Sequence, residues 1–152
     1  MTRPQATGSM SKTRWTWSTE TVFQSVRGAG KPILQELLGQ LHAHGWTEHE
    51  IFGIHLAVEE AVVNAIKHGN RLDETKNVHV NCKLSPERMW IEIVDEGPGF
   101  NPACVPDPTA PENLEVPCGR GIMLMRSFMS QVEFSATGNG VVMEKAREKT
   151  SG

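Results

Sequence analysis

Apolar positions along the chain change their period several times, and each change marks an element. Between Arg14 and Glu20, Trp15, Trp17 and Thr19 alternate with polar neighbours, the period of a strand. From about Val22 to His44 the pattern reads as helical. Ile33, Leu34, Leu37, Leu38 and Leu41 recur at helical steps, Pro32 suits a helix start, and Gly45 ends the run. Thr47-Glu48-His49-Glu50 is a capping box, in which an N-cap Thr is followed by a Glu in the first turn. The helix it opens is predicted to reach about His68. Ile51, Ile54, Val58, Ala61 and Ala65 form its apolar stripe, and Gly69-Asn70 supplies its stop.

Two strands are predicted next, Asn77–Leu84 and Met89–Val94, joined by the turn-like Ser85-Pro86-Glu87-Arg88. Asn101 to Cys118 follows no period and carries Pro102, Pro106, Pro108, Pro111 and Pro117. A stretch of that length inside a compact domain is usually functional or disordered. Gly119–Ser130 reads as a helix through Ile122, Met125 and Met129. Val132–Ala136 and Val141–Lys145 read as a closing pair of strands around Gly138-Asn139-Gly140. Residues 1–12 are expected to be a disordered tail and residues 13–147 a single domain, without internal repeats.

Composition narrows the function. The chain has 152 residues, enough for one sizeable core, with 38% apolar and 22% charged residues. A net charge of −3 gives no broad attraction for nucleic acid or an anionic membrane, so neither is an expected partner. No apolar run approaches the roughly 20 residues of a membrane span, and the polar first residues contain no secretory core. The three cysteines, Cys82, Cys104 and Cys118, form no CxxC, which argues against a disulfide framework or a zinc site and for a reducing cytoplasm. Phosphate binding, if present, must come from local geometry.

Three segments offer that geometry. Glu60, Asn64 and His68 are spaced by one helical turn and line a face beside the apolar stripe. Asn offers a neutral oxygen to a hard cation, and Glu can take a proton or order a water. The same residues on a helix often form no more than a solvated stripe. Glu59 competes for the acidic role, about 100° round the helix from Glu60. Asp95-Glu96-Gly97-Pro98-Gly99-Phe100 follows an apolar strand. Asp95 can accept from an exocyclic amine such as adenine's, and Gly97 and Gly99 let backbone approach a flat ring. Gly119-Arg120-Gly121 opens a helix whose free N–H groups form an anion site, to which Arg120 adds a charged fork. Taken singly, the second segment could be an ordinary tight turn and the third a glycine-rich helix start. Gly28-Ala29-Gly30-Lys31 fails as a P-loop, because Ser25 and Pro32 stand where the motif needs Gly and Ser or Thr.

In this order the segments resemble the histidine-kinase-like ATPase superfamily of gyrase B subunits, sensor histidine kinases and mismatch-repair ATPases. Glu60–Asn70 looks like its N box, Asp95–Phe100 like its first glycine box, Gly119–Ile122 like its second, and Pro102–Cys118 like the ATP lid between them. The likeness spans roughly Trp15 to Lys145 and is greatest to the small bacterial anti-sigma-factor serine/threonine kinases. It implies an α+β two-layer sandwich, with a mixed, mainly antiparallel sheet and helices on one face. It also implies ATP or ADP with Mg2+ as cofactors. Glu60 would be the general base and Asn64 the magnesium ligand, with His68 beside them. Asp95 would hold adenine in a pocket shaped by Gly97 and Gly99, and Gly119, Arg120 and Gly121 would face the phosphates. Where the family commonly has a Thr near adenine, this chain has Asn139. The implied partners are a sigma factor and an antagonist protein phosphorylated on Ser or Thr, with a homodimer left open. The competing expectation is an ATP-dependent binding module without kinase activity.

Overall fold

The computed structural model describes residues 14–97, 117–135 and 139–147, with the side chains of 117–122 excepted. Strand β1 is Trp17–Gln24, followed by helices α1 (Lys31–Ala43) and α2 (Glu48–Val63). A π-helical turn, Asn64–Gly69, continues α2. Strands β2 (Asn77–Leu84) and β3 (Arg88–Val94) come next, then helix α3 (Pro117–Phe128) and strands β4 (Gln131–Phe134) and β5 (Gly140–Ala146).

Alternation builds the sheet. Val78, Val80, Cys82 and Leu84 of β2 are buried on one face, as are Met89, Ile91 and Ile93 of β3 and Val141 and Met143 of β5. They share one apolar cluster with Leu37 and Leu41 of α1, Ile54, Val58 and Ala61 of α2, and Met125 of α3. The helices therefore cover that face and make the second layer. Each buried Leu or Ile contributes about 1.5–3 kcal/mol relative to an exposed one.

The strand order is β1-β2-β3-β5-β4, and every pair is antiparallel. No parallel pair occurs among the described strands, so the sheet expected to be mixed is antiparallel throughout. The paired helices α1 and α2 account for the first pairing. They bring the chain back to the end of the sheet it left, so Gln24 faces Asn77. That same end holds His79 opposite Val94 and Val94 opposite Gly140. The residues just beyond these strand ends are thereby gathered in one place.

Two predicted boundaries shift. The helical reading from Val22 is wrong by several residues, because β1 runs to Gln24 and α1 starts at Lys31. Val22 is 54% exposed while Phe23 packs against the core, the two-residue alternation of a strand. The single helix expected to reach His68 changes to π bonding after Val63.

The Thr47 capping box is present in both directions. Thr47 Oγ1 accepts from the Glu50 N–H at 3.1 Å, and the Glu50 carboxylate accepts from the Thr47 N–H at 3.1 Å. Glu50 is only 2% exposed, with the Arg147 guanidinium 4.0 Å away. Glu50→Ala should cost about 1–3 kcal/mol in urea unfolding, since it removes a cap, empties a buried position and leaves part-buried Thr47 donors without their acceptor. A loss below about 0.5 kcal/mol, the scale of an ordinary surface change, would mean that the box does not anchor α2.

Candidate nucleotide-binding site

The last turn of α2 and its C-cap carry two of the predicted residues, Glu60 and Asn64. The Asn64 N–H bonds back to the Glu60 carbonyl, so the two side chains leave one face a turn apart. Glu60 is half-buried. The Glu59 side chain is 56% exposed and faces His55 at 3.8 Å. Asn64 Oδ1 is buried and, among the described residues, accepts no hydrogen bond. Leaving such an oxygen without a donor costs about 1–3 kcal/mol, and none of the described residues supplies one. A neutral oxygen of this kind fits the hard-cation chemistry of Mg2+.

Beyond Asn64 the bonding widens. The Asn70 N–H reaches the Ala65 carbonyl at 2.8 Å, a five-residue step in place of the α-helical four. His68 is exposed, and partial burial first, then the Lys67 charge, lowers its pKa. The face predicted from four-residue spacing therefore holds for Glu60 and Asn64, while the π turn resets the step before His68. Arg71 and Leu72 follow with φ of 56° and 60°, two left-handed non-glycine residues in succession. Such backbone persists only where surrounding structure imposes it.

Asp95 continues β3 into the gathered end of the sheet. It is 8% exposed, and its N–H donates to the Asn139 carbonyl at 2.9 Å. Its Oδ1 accepts from the Gly97 N–H at 2.9 Å. Burial raises the carboxyl pKa, against smaller lowering by the Gly97 hydrogen bond and the Lys76 charge. Gly69 and Gly97 are required by close approach. A Cβ on Gly69 would collide with the Asp95 carboxylate, and one on Gly97 with the Gly69 carbonyl. The end of the helical segment and the turn interlock because neither carries a side chain there.

The Asn139 side chain is turned to the protein. Its Nδ2 donates to the Asp95 carbonyl at 3.3 Å, and its Oδ1 accepts from Ser135 Oγ at 3.2 Å. It stands beside Asp95, which it holds from the β5 side. Helix α3 begins at Pro117, two residues earlier than predicted, which places Gly119 and Arg120 in its first turn. The N–H groups of a first turn have no acceptor within the helix. The side chain of Arg120 lies outside the described residues, as do Gly99, most of the segment Pro102–Cys118 and the tail 1–12.

One residue at this site is read from the sequence as a helix stop and as the last of the N-box resemblance, with no role of its own. Asn70 is 1% exposed. Its Oδ1 accepts from the Glu96 N–H at 2.7 Å, and its Nδ2 donates to Ser25 Oγ at 2.6 Å and to the Asn77 carbonyl at 2.9 Å. The Glu96 carboxylate accepts from the Asn77 N–H at 2.9 Å and meets His79 Nε2 at 2.8 Å, contacts that lower its pKa, the His79 bond most. Nothing local marked Asn70, because Ser25 and Glu96 are distant in sequence.

Among the described residues no group of His, Cys, Asp and Glu could hold a metal by itself, and no helix is long and apolar enough to cross a membrane. Comparison with known proteins places this geometry. Residues 28–145 match the histidine kinase-like ATPase domain. The anti-sigma F factor of Clostridium perfringens strain SM101 is 33% identical over 105 residues, 65% of this chain and 74% of that protein. The anti-sigma F factor of Clostridium beijerinckii is 35% identical over 105 residues, covering 65% and 73%. That of Oceanobacillus iheyensis is 33% identical over 110 residues, covering 68% and 75%. The crystal structure of the RsbU and RsbW domains of Rv1364c from Mycobacterium tuberculosis superposes with a TM-score of 0.59 at 16% identity. That overlap takes in 87% of this chain and 32% of the other, and shows a shared fold. With a match that covers most of its length, the chain belongs to the histidine kinase-like ATPase domain family.

Proposed function

We propose that the protein is an anti-sigma-factor serine/threonine kinase, which binds a sigma factor and phosphorylates an antagonist protein at the expense of Mg-ATP. The observation that carries the reading is the buried Oδ1 of Asn64, which has no partner among the described residues and stands one turn from Glu60. The anti-sigma F factor relatives supply the partner class. Cytoplasmic location follows from that class of partner.

In this reading Asn64 holds the magnesium ion, which when bound neutralises charge on the phosphates. Asp95 accepts a hydrogen bond from the adenine amine, beside the turn at Gly97. The first turn of α3 turns its N–H groups to the phosphates, with Arg120 as a charged partner. Glu60 takes the proton of the antagonist's hydroxyl as that oxygen bonds to the γ-phosphorus and ADP leaves. Most of the rate comes from positioning and electrostatics. Glu60 serves better than Glu59, whose side chain is the more exposed and faces His55.

The test is to incubate the protein with Mg-ATP and candidate antagonist proteins from the same genome, then map phosphoserine and phosphothreonine by mass spectrometry. A single modified hydroxyl on one partner is the expected result. If no partner is modified while ATP still changes affinity for one, the chain is an ATP-dependent binding module.

A further inference from the structure

We propose that Asn70 is a positioning residue for the nucleotide: its side chain closes a hydrogen-bonded ring that sets where the Asp95-Glu96-Gly97 turn stands. The proposal rests on the ATP-binding reading above and adds a residue that makes no contact with the ligand itself.

The ring has three members. The Glu96 N–H donates to Asn70 Oδ1, the Asn77 N–H donates to the Glu96 carboxylate, and Asn70 Nδ2 donates to the Asn77 carbonyl. Asn70 Nδ2 also donates to Ser25 Oγ, which in turn donates to the Lys76 carbonyl at 2.7 Å. Both donors of the Asn70 amide and its acceptor are therefore used, at a position 1% exposed. The task needs one acceptor and two donors in a plane on a short stem. Asp lacks the donors, Leu lacks all three groups, and Gln is one methylene longer.

The ring bears on Asp95 by two routes. Glu96, whose N–H is held, is the next residue after Asp95. Gly69, the residue before Asn70, packs directly on the Asp95 carboxylate. Loss of the amide frees the turn and the glycine contact together. A carboxylate displaced by an ångström no longer meets an adenine amine at hydrogen-bond distance. Ser25 sits at the far side of the amide, away from the turn, so its loss weakens the corner without freeing Glu96.

The experiment compares Asn70→Ala, Ser25→Ala and Glu96→Ala by calorimetric titration with ATP and with GTP, at a temperature where circular dichroism shows each variant folded. Asn70→Ala should weaken ATP binding about tenfold or more, the loss of roughly 1.4 kcal/mol, and narrow the preference for ATP over GTP. Ser25→Ala should lower the melting temperature but leave both affinities within about twofold, because an arm remote from the ligand acts on stability alone. Glu96→Ala, at an exposed position, should keep the fold and weaken ATP binding about threefold through the opened ring. Wild-type affinity and selectivity in Asn70→Ala would overturn the proposal, as would equal weakening by Asn70→Ala and Ser25→Ala. Should Asn70→Ala fail to fold, Glu96→Ala decides, and unchanged ATP affinity in that variant overturns it. A wild-type protein that binds no ATP overturns the nucleotide reading and this one together.

Discussion

Glu60→Gln should bind Mg-ATP as the wild type does and yet transfer phosphate to an antagonist protein about 10²–10⁴-fold more slowly. Gln has nearly the shape of Glu and keeps hydrogen-bonding capacity, so the half-buried position in the last turns of α2 is filled as before. Its amide cannot take the proton of the attacking hydroxyl. Glu59→Gln is the control, since that side chain is 56% exposed and faces His55. It should transfer at the wild-type rate. Single-turnover phosphorylation gives the rate, and calorimetry gives the affinity. Loss of transfer in Glu59→Gln with transfer intact in Glu60→Gln would assign the base to the neighbouring carboxylate. Asn64→Ala separates the metal from the base: it should weaken the magnesium-dependent part of ATP binding and leave magnesium-free binding alone.

Asp95→Asn should make the nucleotide-free protein more stable and ATP binding weaker. At neutral pH the Asp95 carboxylate is held at 8% exposure, and burial raises its pKa above the ordinary value. A raised carboxyl pKa means that the folded state binds its proton more readily than the unfolded state. Ionised Asp95 therefore works against folding above its folded pKa, and that penalty vanishes as the pH falls below the unfolded value, about 3.9. Asn carries no such penalty, so the variant should melt higher at pH 7 and converge on the wild type in acid. Glu96 has the opposite sense. Its pKa is lowered, so its contribution is present above the unfolded value and disappears as the pH falls through the folded one. Repeating the comparison in a Glu96→Gln background isolates the Asp95 effect. ATP affinity should drop by about 1–3 kcal/mol with the charge-assisted bond to adenine. Melting below the wild type at pH 7, or unchanged ATP affinity, would show that Asp95 is not held buried for the adenine amine.

What the sequence revealed follows the range of the forces involved. The capping box was legible because Thr47 and Glu50 answer each other within one turn. Strands β2 and β3 were legible because alternation such as Val78, Val80, Cys82 and Leu84 has one reading. The end of β1 was missed because Val22 and Phe23 run straight into a helical pattern, and only pairing with His79 and Val78 decides between them. The π turn was missed because it answers to tertiary demands at Gly69 and Asn70 rather than to propensity. The placing of Glu60 and Asn64 a turn apart on one helix, and of Asp95 and Gly97 at the end of β3, was legible from spacing. For Asn139, given a place near adenine by the resemblance, the structure adds bonds to Asp95 and Ser135 that spacing alone did not indicate. The role of the Asn70 side chain was opaque, since two of its partners, Ser25 and Glu96, lie just past the ends of β1 and β3.

The strand order also sets a timetable. β2 and β3 are joined by the tight turn in which Ser85 Oγ accepts from the Glu87 and Arg88 N–H groups, and β4 and β5 are likewise neighbours in the chain. These hairpins close over short loops, which form quickly. β1 meets β2 only after the whole of α1, α2 and the π turn has been crossed, and closing so long a loop requires entropy to be lost before contacts repay it. The corner where Ser25, Asn70 and Asn77 meet is thus among the last to assemble and the first to open. A ligand bound at Asp95, on the turn that this corner holds in place, favours contacts formed after the folding transition state, so ATP should lengthen the lifetime of the folded protein while leaving its refolding rate almost untouched.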